Sequence, residues 1–191
     1  GIAPAGDKSA HAESFIHIAI DVQHDPARLA GIKQRLIEVL NDVRVAVADW
    51  REMLSRLELA VQEVATAKLS DGATEEAEES SAFLQWMRDN HFTLLGYAEF
   101  SFPGNGGNTG VTLVEGSGLG ILRSGATKLF RTRSGELESF SPEILASIKR
   151  PGPLLITKTD IRSNVHRMTH MDYVGVKRSR ADGPVVGERR F

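Results

Sequence analysis

Leu29, Ile32, Leu36, Leu40, Val43, Val47, Trp50, Leu54, Leu57, Val61 and Val64 recur at spacings of three and four. That rhythm places one apolar stripe along a helical surface. Unbroken, about 40 residues of helix would span roughly 60 Å. The pattern therefore predicts either a coiled-coil arm or two helices end to end. Asp25 and Pro26 open it: the carboxylate can accept a free backbone amide, and proline fits the first turn. Asp49 followed by Glu52 has the spacing of a capping box, so a break is expected near residue 49. Arg44, Arg51 and Arg56 fall at largely polar positions and are expected to be solvated.

A helix of this kind must bury its stripe against something, and composition bounds what is available. The chain has 191 residues, 41% hydrophobic and 25% charged, enough for one domain with a helical appendage. Its net charge is −2, which gives no footprint for nucleic acid. It has no cysteine, so disulfides, thiol chemistry and cysteine metal clusters are excluded, and a cytoplasmic location is expected. No segment approaches the length of a membrane span and no signal peptide is visible, so no membrane partner is expected. Residues 1–95 carry 16 acidic and 9 basic side chains, a net of −7; residues 96–191 carry 9 and 14, a net of +5. A helical half and a sheet half with different surfaces explain that asymmetry.

Phe15–Val22 alternates and is β-branched, which predicts one strand. A lone strand needs partners from elsewhere and reads as the last strand of an upstream sheet. After Ser70-Asp71-Gly72, Thr74 can cap a second helix that carries Ala77, Phe83, Leu84 and Met87 and stops near Asn90. Strands are then predicted at Phe92–Phe102, Val111–Glu115, Gly120–Leu122, Thr127–Arg131, Leu154–Lys158 and Asp172–Arg178, with a short helix at Pro142–Ile148. The final run, Val185–Phe191, reads as a strand cut short. The fold class is α+β, a long helical segment followed by a mainly antiparallel sheet. Three segments are expected: residues 1–24 as a flexible end plus a terminal strand, 25–90 as a helical linker or hairpin, and 91–191 as a truncated sheet domain.

The residues offer little reactive chemistry. Gly104, Gly106 and Gly110, and again Gly116, Gly118 and Gly120, precede no helix whose N-terminus could receive phosphates. They read as a hairpin loop and a tight bend. His166 and His170 lie four apart beside Asp172, with His91 a distant third, but the glutamate of a hydrolytic zinc motif is missing and no metal is expected. Arg162 and Arg167 could grip a carboxylate in a bidentate way. His91, Arg162, His166, Arg167, Asp172 and Tyr173 thus form a polar set that either binds a small ligand or holds the sheet together, and the structural role is favoured. No catalytic, cofactor-binding or metal-binding residue is assigned.

Several stretches in order resemble the large bacterial NAD-specific glutamate dehydrogenases. They are Phe83–Tyr97 (FLQWMRDNHFTLLGY), Gly116–Leu122 (GSGLGIL), Ser163–Arg167 (SNVHR), Tyr173–Arg178 (YVGVKR) and Val185–Phe191 (VVGERRF), together with Phe15–Asp21 ahead of the helix. The resemblance covers roughly residues 13–191. It implies a parent enzyme that oxidatively deaminates L-glutamate to 2-oxoglutarate and ammonia with NAD as cofactor. It aligns this chain with the long N-terminal region, which carries ACT-like and PAS-like domains and no catalytic motif. By that likeness residues 15–22 end an ACT-like sheet and residues 92–191 form a PAS-like one. The expected partners are the remaining domains of the same polypeptide, further copies in a homo-oligomer, and a small-molecule effector. A regulatory or architectural segment is the first reading, and an amino-acid or carboxylate sensor is the alternative.

Overall fold

The computed structural model describes residues 15–66, 74–102, 112–123, 152–165, 167–179 and 185–191. The chain divides into two compact units, residues 1–35 and 36–191. In the first, residues 15–25 carry no strand. Phe15, Ile16, Ile18, Ile20 and Val22 are all well exposed, on both sides of the backbone. The alternation is real, but a strand needs a neighbour to take up its amides and carbonyls, and none is supplied among the described residues. Helix α1, Pro26–Thr66, begins directly afterwards. Asp25 caps it as its sequence suggests, accepting the Ala27 amide at 2.9 Å.

Helix α1 runs through residue 49 without a break. The capping-box reading of Asp49 and Glu52 is therefore corrected. Asp49 is buried and its carboxylate has a partner elsewhere in the chain, while Glu52 pairs with Arg56 four residues on. No glycine or proline stands between Val43 and Val64 to break the helix. Arg56 is half-buried rather than solvated and also approaches Glu99 at 3.9 Å.

In the second unit, α2 (Thr74–Trp86) leads into a π-helical turn, Met87–His91. Among the described residues six strands follow: β1 (Gly96–Ser101), β2 (Thr112–Leu113), β3 (Leu119–Gly120), β4 (Leu154–Arg162), β5 (His170–Ser179) and β6 (Val185–Arg190). The expected strands at Thr127–Arg131 and the helix at Pro142–Ile148 lie outside the described residues. The other expected strands are present with shifted ends. β1 is shorter than Phe92–Phe102, and β4 is longer because a bulge lets it continue past Lys158. The sheet order is β2-β1-β6-β5-β4, with β3 also on β1, and every pairing is antiparallel. The last strand thus lies between β1 and β5.

Strand alternation sends side chains to two faces. On one, Tyr97, Val174 and Val176 pack with Met53, Leu57, Ala60, Val61 and Val64 of α1, and with Leu84 and Met87. On the other, Ala98 and Phe100 join Leu122, Phe102, Leu113 and Ile121. Arg88 ties the π-helical turn to α1 through Glu58 at 2.6 Å.

The stripe of α1 is thus divided. Leu57, Val61 and Val64 are core, whereas Leu36, Leu40, Val47 and Trp50 are exposed. Leu57→Ala should lower stability by about 2–5 kcal/mol. Leu40→Ala should change it by no more than about 0.5 kcal/mol. Urea unfolding of the two variants checks this, and equal losses would contradict the division.

Candidate functional site

The densest polar grouping lies on β6, where Glu188, Arg189 and Arg190 are all buried. Alternation separates them. Arg189 faces the helices and forms an ion pair with Glu63 of α1. Glu99 stands close by, 3.7 Å from Arg189 and 3.3 Å from Arg178, and accepts the Tyr97 hydroxyl at 2.6 Å. Burial and then the neighbouring Glu99 carboxylate push the Tyr97 phenol upward, so it stays a neutral donor. Burial disfavours the charge on Arg189, but the hydrogen bond and charge of Glu63 outweigh it.

Glu188 and Arg190 face the other way. Arg190 Nε donates to Glu188 Oε2 at 3.2 Å, and the guanidinium lies 3.8 Å from the centre of the Phe100 ring. Tyr173 of β5 is 5.4 Å from the same guanidinium. Burial raises the Tyr173 phenol well above its ordinary value. Gly175, paired with Arg190 across the ladder, makes room for Glu188: a Cβ there would meet Glu188 Oε1 at 1.7 Å. That oxygen has no hydrogen-bond partner among the described residues.

A second grouping ties α1 to the β3 bend. Asp49 Oδ2 accepts the Gly120 amide at 2.7 Å and Arg123 Nε at 2.8 Å, and Asp49 Oδ1 is held by the same guanidinium. The Arg123 hydrogen bonds hold the Asp49 carboxyl below its usual range despite the opposing effect of burial. Gly120 has φ of +59°, and a Cβ would lie 2.2 Å from the Leu95 carbonyl oxygen, so only glycine fits. The bend expected at Gly116–Gly120 is therefore present and is clamped by an aspartate whose role was not apparent from its spacing.

The residues singled out from sequence are spread more widely. Arg162 and Arg167 are exposed near the β4–β5 connection. Asp172 is exposed and pairs with Lys158 at 2.6 Å. Tyr173, its neighbour, points to the opposite face toward Arg190. His91 ends the π-helical turn and its side chain lies outside what is described, as does all of His166. His170 reaches the Thr159 carbonyl at 3.0 Å, and Asn164 donates to Asp42 of α1 at 2.9 Å. Of the four whose side chains are described, only Tyr173 joins the buried grouping on β6. Charged residues inside an alternating strand were the available signal for Glu188, Arg189 and Arg190. Among the described residues no three histidines, aspartates or glutamates converge as for a metal.

No family model matches the chain. Known proteins do. It is 33% identical to the NAD-specific glutamate dehydrogenase of Pseudomonas aeruginosa over its whole length. It is 32% identical to that of Halomonas elongata over 94% of its length, and 28% identical to that of Mycobacterium tuberculosis over 58%. The chain belongs to the NAD-specific glutamate dehydrogenase family. It spans 12%, 11% and 7% of the length of those three relatives, respectively.

Four of the stretches that resemble glutamate dehydrogenases fall on packing parts, whereas Phe15–Asp21 is exposed. Phe83–Tyr97 supplies Leu84, Met87, Leu94 and Tyr97 to the core. Gly116–Leu122 forms the bend held by Asp49. Tyr173–Arg178 and Val185–Phe191 are the β5–β6 ladder.

The Asp49 clamp has a pH signature. A carboxyl depressed in the folded state adds stability that is complete above its unfolded value, near 3.8, and is lost as pH falls through the folded value. Asp49→Asn should cost about 1–3 kcal/mol at neutral pH. Exposure of Arg123 favours the lower end. The gap between wild type and variant should narrow below about pH 4. Thermal unfolding across pH checks this, and parallel curves would contradict it.

Proposed function

We propose that this chain is the N-terminal regulatory or architectural segment of a cytoplasmic, homo-oligomeric NAD-dependent glutamate dehydrogenase. The full-length enzyme converts L-glutamate and water to 2-oxoglutarate and ammonia while NAD is reduced, and this segment holds neither NAD nor a catalytic centre. The observation that carries the reading is a likeness spanning the chain but only about a tenth of the relatives' length. In this reading residues 91–191 are a PAS-like sheet domain, 25–90 the helical connector, and Phe15–Val22 the terminal strand of an ACT-like sheet. The unpaired alternation of Phe15–Val22 supports the last assignment.

The sensor reading has one observation of its own. Glu188 and Arg190 place a carboxylate and a guanidinium side by side inside the fold, where they pair with each other, so an amino acid would have to displace that pairing for its ammonium and carboxylate to be matched. A thermal-shift series with amino acids and small dicarboxylates tests it, with stabilisation lost in Glu188→Gln. An unmoved melting temperature throughout leaves the architectural role alone.

Assay of the purified chain with glutamate and NAD tests the main reading. No NADH should form, and calorimetry should find no tight NAD binding. NADH formation that scales with purified chain would overturn it.

A further inference from the structure

The exposed half of α1 has the order of an interface. Between Leu36 and Trp50 one set of apolar positions keeps a heptad spacing, with Leu36, Val43 and Trp50 in one row and Leu40 and Val47 in the other. Leu36, Leu40, Val47 and Trp50 are 49%, 45%, 62% and 45% exposed. The seam covers 15 residues, about 22 Å of helix. Its two borders differ. On one side, Ala46, Asp49 and Met53 are buried in the fold, so that border is closed. The open border carries Ile37, Arg44 and Arg51, so its charge lies along the second and third of its three positions. Neither arginine has an acidic residue three or four positions away, although Arg51 lies 5.5 Å from the centre of the Trp50 ring.

We propose that this face of α1 docks an amphipathic helix whose apolar seam is flanked by glutamates or aspartates. The chemistry is that of a coiled coil with one open charged border: leucine-type residues fill the seam and acids meet Arg44 and Arg51. A second copy of this chain does not meet that requirement. In antiparallel pairing the arginine borders would face one another, and in parallel pairing the border that must receive them is the one closed by the fold. The proposal does not depend on the reaction assigned to the parent enzyme.

The test uses two synthetic 21-residue helices, identical in leucines at the seam but flanked by Glu in one and Lys in the other. Trp50 and Trp86 are the two tryptophans, so a Trp86→Phe background makes Trp50 the reporter. The Glu-flanked helix should shift Trp50 emission to the blue and bind at least about tenfold more tightly than the Lys-flanked one, with the gap shrinking at high salt. The double variant Arg44→Glu, Arg51→Glu should reverse the preference, and Val47→Asp should abolish both, with circular dichroism checking that each variant keeps its helix. Equal binding of the two probes, or none, would overturn the proposal. So would sedimentation showing a dimer that Val47→Asp dissolves, because the occupant would then be a second copy.

Discussion

Asp49 stands where α1 changes character. Beyond it the helix is core, carrying Met53, Leu57, Ala60, Val61 and Val64; before it, from Leu36 to Val47, the apolar stripe is largely open. The same carboxylate holds the Gly120 amide and the Arg123 guanidinium, and Gly120 is paired with Gly96 at the start of β1. One buried acid therefore fixes the helix against the bend that pairs with the start of β1. A carboxylate in such a place is tolerated only because its partners replace the lost water.

The same rule governs β6. Three consecutive charged residues in a central strand would be expensive to bury without partners. Alternation sends Arg189 to Glu63 on one face and sets Glu188 beside Arg190 on the other. Gly175 clears the space that Glu188 fills, and Phe100 provides a ring for Arg190. The sheet centre is thus held by matched charges as well as by Val174, Val176, Ala98 and Phe100.

Much of this architecture was legible in the chain itself. The three-and-four rhythm gave α1 its length, Asp25 its start, and alternation gave β5 and β6 their positions. Asp49 was misread because a capping box and a buried acid present the same spacing, and only a partner 71 residues away distinguishes them. Phe15–Val22 has the pattern of a strand but, among the described residues, no neighbour that would make it one. The polar candidates chosen from the 158–173 region were conspicuous because they cluster in sequence. Glu188, Arg189 and Arg190 show locally only as charges inside an alternating strand, and the neighbours that accommodate them come from α1, β1 and β5.

Helix α1 is core at one end and exposed at the other. Amide hydrogen exchange along residues 26–66 tests that division most directly. The account predicts that amides from Met53 to Val64 exchange only with global unfolding, while those from Leu29 to Val47 exchange faster through local opening. Uniform protection along the whole helix, or a fast-exchanging break centred on Asp49 between two protected halves, would contradict it.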